Sequence, residues 1–168
     1  VLCSCIRDDN QVLAAGSAEG LVQLFYTGSR TVLRHFREHQ AAVRDVNFFS
    51  SGTQLLTCGE DRTIKQYDIA TEQLVHNITC HSDTVVKAMP SSLSEDIIVS
   101  ASYDHSICFT DLRVPNCDTT PVLRLSHDSP VTSLVMFPGS ALVAAAGDRS
   151  IRVFDLLSNA QKLGELSS

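Results

Sequence analysis

The chain has 168 residues, 43% of them hydrophobic and 19% charged, a mixture that supports a buried core and argues against disorder. Thirteen basic and 19 acidic residues leave a formal charge of -6, which disfavours wrapping nucleic acid on a basic face and points to protein partners. The longest apolar run, Ala141 to Ala146, is far short of the roughly 20 residues of a membrane helix, so no membrane is expected.

Four stretches read alike in chain order. The first gives Val1, Ile6, Leu13-Ala14, Glu19, Val22 and Phe25. The second runs His39-x-x-x-Val43, Val46, Phe48, Leu55-Leu56-Thr57 and Asp61-x-x-Ile64-x-x-Tyr67-Asp68. The third repeats it as His81, Val85, Ala88, Ile98-Val99-Ser100 and Asp104-x-x-Ile107-x-x-Thr110-Asp111. The fourth offers His127, Val131, Leu134, Met136, Leu142-Val143-Ala144 and Asp148-x-x-Ile151-x-x-Phe154-Asp155. The turn acids Glu19, Asp61, Asp104 and Asp148 follow one another at 42, 43 and 44 residues, the length of a propeller blade.

Inside each repeat the apolar residues alternate at period two, as in Val22/Leu24, Ile107/Phe109 and Ile151/Val153, which predicts strands rather than helices. Asn10, Ser51-Gly52 and Pro138-Gly139 mark a first hairpin. Asp61-Arg62-Thr63, Asp104-His105-Ser106 and Asp148-Arg149-Ser150 mark a second, where Asp and Ser side chains satisfy local backbone groups. The third repeat is longer, with one extra residue in Ser91 to Asp96 and three near Pro115 to Pro121, both expected in surface loops. The expected fold is all-β: four four-stranded blades at about 1–36, 43–79, 85–126 and 131–166.

The leading His, turn Asp and terminal aromatic-Asp at fixed offsets resemble the WD-repeat β-propeller family across essentially the whole chain. In that family the His, a strand hydroxyl, the turn Asp and a strand Trp form a buried hydrogen-bonded tetrad. The resemblance places such sets at His39, Thr57, Asp61 and Tyr67, and at His81, Ser100, Asp104 and Thr110. The fourth set keeps His127 and Asp148, but Ala144 and Phe154 break it, and the chain has no Trp at all.

Within the family the runs Ala15 to Phe25, Ser102 to Ile107 and Pro130 to Gly139 look like the fifteenth U-three-snoRNA-associated protein family of the small-subunit processome. Ala18, Tyr26 and Gln66-Tyr67 depart from its pattern. That resemblance implies a nucleolar, non-enzymatic scaffold for pre-rRNA transcription and small-subunit rRNA processing. It implies other processome proteins as partners, with the U-three snoRNP and pre-rRNA reached indirectly. It also implies a seven-bladed ring with a helical carboxy-terminal domain, of which this chain is a fragment. Four blades of such a ring have bare apolar faces at blades one and four, which closure or another chain is expected to cover.

Sharper chemistry is disfavoured. His39-Thr57-Asp61 has triad composition, but triad catalysis needs an exposed nucleophile and an oxyanion hole. Gly16 to Gly20 lacks the Lys-Ser/Thr end of a phosphate loop. Of the six cysteines only Cys3 and Cys5 are close, as C-x-C. With no leader pattern at Val1 they are expected to be reduced thiols, and no metal site is expected. No cofactor and no small-molecule substrate are expected either.

Binding remains. A candidate partner-binding face gathers Gln40, Ala42, Glu60, Ser82, Thr84, Tyr103, Asp128 and Pro130, with Tyr103 either the anchor or packed against its own hairpin. The alternative is a WD-repeat adaptor such as a ubiquitin-ligase substrate receptor, for which Asp111-Leu112-Arg113 is similar to the docking box except that Thr110 replaces the aromatic.

Overall fold

In a computed structural model the period-two patterning folds into sixteen strands, with no helix among the described residues. The structure describes residues 1–137 and 150–154 with their side chains, and the strand paths of 142–146, 155 and 161–167.

Four antiparallel sheets follow in chain order. Blade 1 is β1 (Cys3–Ile6), β2 (Val12–Gly16), β3 (Val22–Tyr26) and β4 (Thr31–Phe36). Blade 2 is β5 (Val43–Phe48), β6 (Gln54–Gly59), β7 (Ile64–Asp68) and β8 (Leu74–Ile78). Blade 3 is β9 (Val85–Pro90), β10 (Ile97–Ser102), β11 (Ser106–Asp111) and β12 (Leu123–Ser126). Blade 4 is β13 (Ser133–Met136), β14 (Leu142–Ala146), β15 (Ser150–Asp155) and β16 (Gln161–Ser167). The register repeats: Leu13 faces Phe25, Leu55 faces Tyr67, Ile98 faces Thr110 and Val143 faces Phe154.

A sheet that alternates apolar residues on both faces must bury both, and it does so against its neighbours. Val12, Ala14, Leu24 and Phe36 of blade 1 pack on Val46, Leu55 and Tyr67 of blade 2. Leu56, Ile64 and Ile78 of blade 2 pack on Val85, Ile98 and Cys108 of blade 3. Val99, Ile107 and Phe109 of blade 3 pack on Leu134, Met136 and Phe154 of blade 4. Three apolar layers thus alternate with four sheets, as in part of a β-propeller.

The connections use left-handed backbone at matching points. The second hairpins carry it at Gly20, Arg62 and His105, and the third connections at Arg30, Glu72 and Asn116. Gly20 is required on two counts: φ is +77°, and a Cβ there would meet the His39 carbonyl oxygen at 2.3 Å. That close approach seats the blade 1 hairpin on the segment leading into blade 2.

Candidate functional site

The segment entering each inner strand crosses the hairpin of its own blade and that of the blade before. The Val43 amide donates to the Ser17 carbonyl at 3.0 Å, and the Glu60 amide donates to the Ala42 carbonyl at 2.9 Å. One repeat on, the Tyr103 amide donates to the Thr84 carbonyl at 3.0 Å and the Val131 amide to that of Ser102 at 3.1 Å. These bonds gather the predicted brace and the predicted binding face at one end of the blades.

The His39 side chain is fully buried, with Nδ1 2.8 Å from Asp61 Oδ2 and Nε2 2.7 Å from the Thr57 hydroxyl. Asp61 also accepts the Gln40 amide at 3.1 Å and the Thr63 hydroxyl at 2.9 Å. Blade 3 repeats the set: His81 Nδ1 lies 2.9 Å from Asp104 Oδ2 and Nε2 2.9 Å from the Ser100 hydroxyl. Asp104 accepts the Ser82 amide at 3.0 Å and the Ser106 hydroxyl at 2.6 Å. Burial opposes charge on both aspartates, but the His, hydroxyl and amide donors outweigh it and hold each far below the usual carboxylate range. Burial likewise opposes charge on His81, and the bonds to Asp104 and Cys80 overcome it, so its pKa is raised.

The fourth member of each set is not joined. Tyr67 and Thr110 are buried, yet neither hydroxyl makes a hydrogen bond. The Tyr67 ring instead stacks on Phe36 with centroids 4.6 Å apart. A tryptophan donates from the long edge of its indole; the shorter threonine and the terminal phenol place their polar atoms elsewhere. In blade 4, His127 Nδ1 accepts the Ser129 amide at 3.2 Å, and Phe154 is buried in the apolar layer. Asp148 lies outside the described residues.

Both sets are closed in hydrogen bonds between side chains of one blade. Thr57 and Ser100 are buried, so neither hydroxyl offers a surface on which a substrate could sit. What the aspartates do reach is the face above: by fixing the Gln40 and Ser82 amides they position the segment that carries the exposed residues. Gln40, Glu60, Ser82, Tyr103, Asp128 and Pro130 are exposed there, Thr84 is half-buried, and Tyr103 shows 36% of its surface. Ala42 is a correction: it is buried, because its carbonyl receives the Glu60 amide and lies against Gly59, where even a Cβ would not fit. Asp128 pairs with Arg152. Arg113 folds back on its own Asp111 at 2.7 Å, and Thr110 beside it is buried, so the Asp111-Leu112-Arg113 stretch presents no aromatic box.

One polar cluster escapes the sequence reading. Asp45 of β5 accepts Lys87 Nζ of β9 and Asn47 Nδ2, each at 2.8 Å, and Asn47 Nδ2 also reaches the Ala88 carbonyl at 2.9 Å. Burial pushes the Asp45 carboxyl above its usual range despite these donors. The available signal was the repeat itself: Asp45 and Lys87 stand 42 residues apart, opposite charges in one column.

The WD domain, G-beta repeat model matches residues 30–68, 72–111 and 119–155. Each match starts on the outer strand of one blade and continues through three strands of the next, so every repeat straddles two blades. Among curated relatives, the U3 small nucleolar RNA-associated protein 15 homologs of Xenopus laevis and Gallus gallus are each 34% identical, over 98% and 99% of this chain. U3 small nucleolar RNA-associated protein 15 of Schizosaccharomyces pombe is 32% identical over 93% of it. In all three cases the chain spans 31% of the relative's length. Repeat model, blade pattern and brace geometry agree, and the chain belongs to the WD-repeat family.

Proposed function

We propose that this chain is a binding segment of a non-enzymatic scaffold in the small-subunit processome, acting in the nucleus and nucleolus. Its contacts are with other processome proteins, through which the U-three snoRNP and pre-rRNA are engaged, and they serve pre-rRNA transcription and small-subunit rRNA processing. The brace supports this reading: His39, Thr57, Asp61 and their blade 3 counterparts are engaged in hydrogen bonds, while the segments they hold expose Gln40 and Ser82 and the adjoining hairpins expose Glu60 and Tyr103. Relatives named for association with U3 small nucleolar RNA give the assembly its class.

The test is recovery of U3 small nucleolar RNA with the tagged protein from nuclear extract. The wild type is expected to recover it, and Tyr103→Ala with Glu60→Ala to lower recovery several-fold without moving the urea midpoint. A wild-type protein that returns cullin subunits and no U3 RNA contradicts the proposal and favours the adaptor class.

A further inference from the structure

The longest connection of blade 3, between β11 and β12, folds back onto the outer strand of blade 2. The Thr79 amide donates to the Asp118 carbonyl at 2.6 Å, and the Thr79 hydroxyl reaches the same oxygen at 3.2 Å. So anchored, the loop brings Cys117 and Asp118 to His76 of β8. His76 Nδ1 stands 2.9 Å from Asp118 Oδ1, and Cys117 Sγ lies 3.7 Å from each.

Those separations have a chemical meaning. A tetrahedral zinc ion, with bonds of about 2.0–2.3 Å, holds its N, O and S ligand atoms about 3.3–3.6 Å apart. The three atoms therefore already outline one face of such a tetrahedron, within a few tenths of an ångström. One imidazole, one thiol and one carboxylate suit a borderline cation, whereas calcium and magnesium take oxygen ligands. The His76 and Asp118 side chains are 25% and 45% exposed, so the fourth corner opens to solvent.

A second mixed cluster among the described residues, Cys80, His81 and Cys108, does not compete. Both ring nitrogens of His81 are engaged by Asp104 and Ser100, and all three residues are buried.

We propose that His76, Cys117 and Asp118 form a three-ligand site for zinc or a zinc-like divalent cation, with a fourth position open to water. The ion staples the blade 3 loop to the outer edge of blade 2. Binding displaces the Cys117 thiol proton, while the imidazole binds as its neutral form with the other ring nitrogen protonated.

Cobalt(II) titration of the chain is the test. One equivalent is expected to give the thiolate charge-transfer band and the intense visible bands of a tetrahedral site. Cys117→Ser is expected to abolish the charge-transfer band. His76→Gln is expected to weaken zinc, measured by competition with a chromophoric chelator, at least about tenfold with the circular dichroism unchanged. Absence of a band in the wild type, a band that survives Cys117→Ser, or unchanged zinc affinity in a folded His76→Gln variant overturns the proposal.

Discussion

Thr110 sits where the repeat pattern expects an aromatic donor, fully buried, with a hydroxyl that bonds to nothing. A buried hydroxyl without a partner costs about 1–3 kcal/mol, and valine has the same shape without the polar atom. Thr110→Val is therefore expected to stabilise the chain by about 1 kcal/mol in urea unfolding. The joined members should behave oppositely, and pH reports on them. Asp61 and Asp104 have folded pKa values below the unfolded value of about 3.9, so their contribution is complete above that pH and is lost as pH falls through the folded values. His81 is raised, so its contribution is complete below about pH 6.5 and is lost as pH rises through the folded value. The urea midpoint should peak in mildly acidic solution, and Asp104→Asn should flatten the acid limb. His39, Thr57, Asp61 and their blade 3 counterparts were legible because repeat spacing fixes which backbone positions meet. The orphaned hydroxyls were not, since whether a polar atom reaches its partner depends on side-chain length at the scale of an ångström.

At the scale of elements, strand periods and hairpin residues marked the strands of blades 1 to 3, with the blade 4 turns at Pro138-Gly139 and Asp148-Arg149 outside the described residues, while the left-handed positions were only partly visible. Gly20, Gly52, Asn10 and Asn116 announce themselves by type, whereas Arg62, Arg30 and Glu72 adopt the same backbone without a favouring side chain. Gly20 bears on two blades at once. Alanine there takes an unfavourable φ and drives its Cβ into the His39 carbonyl, which carries the brace histidine. Gly20→Ala is expected to destabilise by more than about 1 kcal/mol, seen as a lower melting temperature, with Arg62→Ala closer to neutral. The long blade 3 connection was readable as an insertion, but its return onto β8 was not. Docking of a loop is set by tertiary contacts such as Thr79 with Asp118, which leave no periodic trace.

Across the molecule, burial at two sets of equivalent positions follows whether a neighbouring blade covers them. Ile64 and Ile107 are fully buried by the next blade, while their counterpart Ile151 is 43% exposed on blade 4. Tyr67 is buried by blade 1, while its counterpart Phe25 is half-exposed on the opposite end. The apolar layers therefore account for the stacking of blades, as alternation on both faces of each strand requires. The His–Asp–hydroxyl sets then tie the segments entering blades 2 and 3 to their own blades. That assignment of chemistry-bearing residues to structure rather than reaction is tested most directly by a double-mutant cycle. His39→Ala, Asp61→Ala and the double variant would be unfolded in urea. A favourable coupling of about 1.5–3 kcal/mol is expected for a buried bond to a charged group. Single effects that add within about 0.5 kcal/mol would contradict the brace and return these residues to the list of reactive candidates.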